Sequence, residues 1–118
     1  MSYTRSKGLK EIFLGTKEAS PNCENPPYPY GDYFVQFGGE GLDAFTRRIF
    51  TAVQEIAAQT RGQTILIVTH GMAIRRFLTV VPALTDVPDR FIGNCTIVKL
   101  RYENGSFAAE EIIDPTEN

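Results

Sequence analysis

The stretch Thr64-Ile65-Leu66-Ile67-Val68-Thr69-His70-Gly71-Met72-Ala73-Ile74-Arg75 constrains the fold more than any other part of the chain. Thr64 to Val68 is β-branched or apolar throughout and carries no charge, the composition of a strand buried on both faces of a parallel sheet. From Met72 to Val81 the apolar residues switch to helical spacing, and the run stops before Pro82. A strand, a tight junction and a helix make the building unit of α/β folds, whose ligands gather at the carboxyl ends of parallel strands. The sole histidine of the sequence, His70, stands at that junction.

The flanking segments extend the pattern. Leu42, Phe45, Ile49, Val53 and Ile56 recur at three and four residues, which predicts a helix over Leu42 to Gln59, with Gly62 as its stop signal. Thr96 to Tyr102 alternates as a strand, Asn104-Gly105 is a type I′ hairpin signal, and Phe107 to Ile113 supplies the return strand. Lys7 to Leu14 reads as a brief strand or turn. Between Thr16 and Gly39 the prolines and glycines forbid a long regular element, while Tyr28, Tyr30, Tyr33, Phe34 and Phe37 indicate a loop that packs on something. Lining a substrate pocket and covering the sheet edge are both open to that loop, and the second is favoured. The tail from Asp114 to Asn118 is polar and is expected to fray. Residues 1–118 make one α/β domain, with a parallel strand–helix unit and a C-terminal hairpin.

Composition excludes several functions. The net charge is −2, so no basic excess attracts a nucleic-acid backbone. No apolar run approaches the length of a membrane span, and the first residues lack a secretory core, so a cytoplasmic protein is expected. Cys23 and Cys95, with one histidine, fit neither a disulfide framework nor a zinc site. Cys23 reads as an exposed thiol.

The start of the second helix offers unpaired backbone N–H groups and a positive dipole end, both suited to an anion. Gly71 permits close approach of a ligand to the backbone. A histidine at that junction can donate to a phosphate oxygen. A histidine at a strand end can equally be a structural residue, and other residues must decide. Arg75 and Arg76 could seek a phosphate, although helix arginines are commonly solvated or paired with acids.

Four blocks bear on the choice. Leu9 to Glu18 carries L-x-E-x-x-x-G-x-x-E, Gly38-Gly39-Glu40 opens the long helix with Arg48 following, His70-Gly71 precedes Ile74-Arg75, and Asn94 precedes the next strand. Together, from about Gly8 to the last strand, they resemble the histidine phosphatase superfamily, the phosphoglycerate mutase-like proteins. Leu14 stands where an aromatic is usual, Ala19 where glycine often follows Glu18, and Gly41 where serine follows Gly-Gly-Glu.

The resemblance implies a three-layer α/β sandwich and phosphoryl transfer or phosphomonoester hydrolysis, with no metal and no organic cofactor. It makes His70 the second histidine, donating to the phosphoryl group, and Glu11 the acid that protonates the leaving oxygen. The Gly71 amide would hold a phosphate oxygen, while Glu40 and Arg48 would be structural or peripheral. Family members begin with a strand ending in Arg-His-Gly, whose histidine becomes phosphorylated, and that segment is not in this sequence. The chain is therefore expected to be a truncated, C-terminal portion of such a domain, inactive alone because covalent transfer needs its nucleophile.

In the family the missing strands are central in the sheet. Without them Thr64–Val68 would expose backbone edges, so a homo-oligomer or a strand-supplying partner is expected, beside a phosphorylated small molecule or phosphate as ligand. The alternative is a non-catalytic module that binds a phosphate ligand or another protein. A more distant one is an unrelated hydrolysis with His70 as general base beside Glu11.

Overall fold

The computed structural model of the chain describes residues 3–19, 26, 28–81 and 91–115. Expectations about Cys23, the stop at Pro82 and the tail beyond Pro115 lie outside these residues.

Helix α1 spans Leu42–Gln59, the bounds its apolar spacing predicts. Its buried stripe is Leu42, Phe45, Ile49, Ala52 and Val53, with Phe45 wholly inaccessible. One polar residue, Thr46, is buried on the same face, and its hydroxyl donates to the Leu42 carbonyl at 2.8 Å. At the far end the Thr60 hydroxyl donates to the Ile56 carbonyl at 2.7 Å. Gly62 then turns the chain away at φ 76°.

Helix α2 spans Gly71–Leu78 with His70 as its N-cap residue in extended conformation. It buries Ala73, Phe77 and Leu78. Two further turn bonds, Thr79 to Arg76 and Val80 to Phe77, carry the coil on toward Val81.

Strand β1 spans Ile97–Glu103 and pairs antiparallel with β2, Ser106–Ile113. Asn104 and Gly105 both sit at positive φ, 53° and 76°, as a type I′ turn requires. Register runs from Glu103↔Ser106 to Ile97↔Ile113, with an irregularity between Lys99 and Leu100.

Phe77 of α2 joins the hairpin to α1. Its ring stacks on Phe50 at 5.9 Å and meets Phe107 edge-on at 5.3 Å, while Tyr102 lies 4.6 Å from Phe107. A smaller cluster of Leu78, Ile92 and Ala109 seats the other end of the hairpin. The architecture is mixed helix and strand around one aromatic-rich core.

Two expectations are corrected. Thr64–Val68 is not a buried strand: it joins no sheet, Leu66 is 76% and Val68 80% exposed, and the parallel strand–helix unit does not form among the described residues. A β-branched run of this kind needs a paired strand at its edges and cover on both faces; among the described residues it has no paired strand, and Ile67 alone of Thr64–Val68 packs on the core. An open groove of about 550 Å³ separates it from β1, floored by Ile49 and Val53. Of the two readings open to the segment from Lys7, strand or turn, Lys7–Leu9 takes the second as a short 3-10 turn. The Tyr/Phe loop covers the helices, not the sheet edge. Its 3-10 segment Tyr33–Phe37 buries Phe34, Tyr28 and Tyr30 pack on the core, and the Gly31 carbonyl accepts from the Leu42 amide at the start of α1.

Candidate active site

The site is assembled where the segment after the Lys7–Leu9 turn meets the start of α2. Arg48, on α1, reaches over that segment: Nη1 donates to the carbonyls of Gly8 at 2.9 Å and Lys10 at 3.0 Å, and Nη2 to that of Glu11 at 3.3 Å. Thr69 holds it from the other side, its hydroxyl donating to the Leu9 carbonyl at 2.7 Å. Glu11 is thereby aimed at α2, where its Oε2 accepts from the Met72 amide at 3.2 Å. A carboxylate on a first-turn amide is electrostatically favoured by the helix dipole.

Arg48 is itself oriented by Glu40. The two side chains form a forked pair, and the Glu40 carboxylate also accepts from the Phe13 amide at 3.0 Å. The hydrogen bond from Arg48 holds the Glu40 carboxyl below the usual glutamate range, burial opposes this, and the Phe13 amide reinforces it. Glu18 accepts from the Leu14 amide at 2.9 Å, so it anchors the loop and remains exposed.

His70 is exposed, and its imidazole caps none of the amides of α2. It lines the open groove together with Gly71 and Asn94, whereas Glu11 lines a neighbouring depression of about 500 Å³ with Lys7, Lys10 and Arg48. Glu11 and His70 thus approach the helix start from two sides, bridged by the backbone of Gly71 and Met72. At Gly71 a side chain would bring its Cβ to 3.2 Å from the Ile92 carbonyl, so any larger residue would have to press the Ile92 backbone back by a few tenths of an ångström.

Sequence reasoning left the arginines of α2 and the tyrosines of the loop without a place, and the structure joins them. Arg76 donates from Nε to the Thr46 hydroxyl at 2.8 Å and from Nη1 to the Tyr28 hydroxyl at 2.9 Å. Arg75 lies over the Tyr28 ring, 3.6 Å from its centroid. Burial raises the Tyr30 phenol to about 12, with Glu11 and Tyr28 adding to the rise and Arg76 and Arg75 opposing it. Tyr30 is therefore neutral at physiological pH. The sequence signal was the clustering of tyrosines ahead of the helix, which marked a packed loop without showing which face it covers.

Among the described residues no group of three or more His, Cys, Asp or Glu side chains could hold a metal ion, and no helix is long and apolar enough to cross a membrane. The chain is 24% identical over 103 residues to the metal-independent phosphoserine phosphatase of Arabidopsis thaliana. That match covers 79% of this chain and 43% of the plant protein, so the chain spans less than half the length of that relative. No solved structure matches it. The model of the histidine phosphatase superfamily (branch 1) matches residues 1–115, almost the whole chain. The chain belongs to the histidine phosphatase superfamily.

Proposed function

We propose that this chain carries the acid and second-histidine side of a phosphomonoester site. His70 donates to the phosphoryl oxygens, the Gly71 amide binds one of them, and Glu11 is the proton donor to the leaving-group oxygen when a nucleophile takes the phosphoryl group and the P–O ester bond breaks. The observation that carries this reading is the Glu11–Met72 hydrogen bond, which draws residues 61 apart in sequence to the helix start that bears His70. Family membership and the likeness to a metal-independent phosphoserine phosphatase support phosphatase-type chemistry. Phosphoryl transfer rests on positioning and charge stabilisation, which these groups supply without a metal.

A covalent route also needs a nucleophile to accept the phosphoryl group. In this chain the one histidine is already assigned to charge stabilisation. The 118-residue chain alone therefore binds a phosphate group without turning it over. An aryl phosphate assay on the pure chain tests both parts. The expected rate equals that of His70→Ala. Turnover that disappears in His70→Ala would refute inactivity.

A further inference from the structure

We propose that Thr69 is a positioning residue of the site, its hydroxyl fixing His70 and Glu11 relative to one another. The inference rests on the reading of those two side chains as parts of one phosphate site. Residues 64–69 join no sheet. Among the described residues, that stretch makes a single hydrogen bond, from the Thr69 hydroxyl to the Leu9 carbonyl at 2.7 Å. No ladder bond holds the end of the segment before α2 begins, so this one polar contact does.

The exposure pattern shows what the bond sets. Ile67 and Thr69 are half-buried while Val68 and His70 are exposed, the alternation of an extended chain. Ile67 packs on the core and Thr69 on Leu9, so the pleat turns the His70 side chain outward. The acceptor is equally placed to matter. Arg48 takes the carbonyls of Gly8, Lys10 and Glu11 from α1, and the Leu9 carbonyl between them goes to Thr69. Thr69 therefore stands one residue before the histidine and grips the other segment two residues before the acid. Branching at Cβ restricts its χ1, which keeps the hydroxyl on Leu9. A valine would keep that shape without the donor, and a serine would keep the donor.

Backbone amide resonances of the 118-residue chain test this without any ligand. In Thr69→Val the order parameter at His70 is expected to fall from about 0.85, the rigid value, to below about 0.6. The Met72 amide should shift as it does in Glu11→Ala, and Thr69→Ser should keep both signals as in the wild type. In a Glu11→Gln background, where the charge of residue 11 plays no part, adding Thr69→Val should weaken inorganic phosphate binding about fivefold, the loss of one hydrogen bond. Unmoved His70 and Met72 signals in Thr69→Val, with the hairpin signals unchanged, would overturn the proposal. So would a Thr69→Ser chain that behaves like Thr69→Val. If Thr69→Val unfolds, the wild type decides: a slowly exchanging Thr69 hydroxyl proton is expected, and one lost to solvent exchange would refute the bond. Absence of phosphate binding in every chain would instead contradict the reading of the site, because the order parameters are measured without ligand.

Discussion

Arg48 grips Glu40 with two parallel hydrogen bonds, Nη2 to Oε1 at 2.7 Å and Nε to Oε2 at 2.9 Å. Its remaining donors go to three backbone carbonyls of the segment bearing Glu11. One side chain of α1 thus sets the position of a candidate catalytic carboxylate that it does not touch through its own charge.

Arg48→Ala should cost stability well beyond that of a surface pair. Exposed ion pairs contribute about 0–1 kcal/mol, whereas breaking a buried one costs about 3–5 kcal/mol. The two side chains are 27% and 22% exposed, and the lost carbonyl bonds add to the deficit. The expected loss is about 2–3 kcal/mol in urea unfolding. Arg48→Lys should recover little of it, because an ammonium cannot reproduce the fork.

The same pair sets an acid limb. Glu40 has a lower pKa folded than unfolded, so its contribution is complete above the unfolded glutamate value of about 4.3. It is lost as pH falls through the depressed folded value. Unfolding midpoints measured below pH about 4.3 should drop less steeply for Glu40→Gln than for the wild type.

Gly41→Ser would restore a serine at the N-cap of α1, worth a few tenths of a kcal/mol over glycine. A Cβ at Gly41 would meet the Asp32 carboxylate, which is the end of an exposed side chain and can turn aside at little cost. The variant should therefore unfold at slightly higher urea than the wild type in the same denaturation experiment, and a loss of more than about 1 kcal/mol would show that Asp32 cannot move.

These residues also show what could be read from sequence. The spacing of Leu42, Phe45, Ile49 and Val53 encodes a buried face directly, and Asn104-Gly105 encodes positive φ, so α1 and the hairpin were legible. Thr64–Val68 was misread because its pattern records what the segment is built to bury, not which neighbours the described residues provide. The Arg48 clamp was illegible for another reason. Helical periodicity places an arginine on a face, but its carbonyl partners lie 37 to 40 residues away and follow from tertiary packing. His70, Gly71 and Glu11 stand out in the sequence only through their shared blocks, and the structure adds the Met72 amide, which brings the Glu11 carboxylate to the helix start.

In the proposed site, an ionised Glu11 would oppose a phosphate ligand. Two charges at 4 Å repel by about 1 kcal/mol in water and about 4 kcal/mol at an effective dielectric of 20. The site is open to solvent, which favours the lower figure. Glu11→Gln should therefore bind inorganic phosphate about fivefold more tightly by calorimetry, a factor matching about 1 kcal/mol.

The most direct measurement is a titration of the 118-residue chain with inorganic phosphate, followed through the backbone amide resonances. Saturable shifts at Gly71 and Met72, lost in His70→Ala while the hairpin signals stay unchanged, are the predicted result. Amides of α2 that do not respond, or that respond equally in His70→Ala, would contradict a phosphate site at His70.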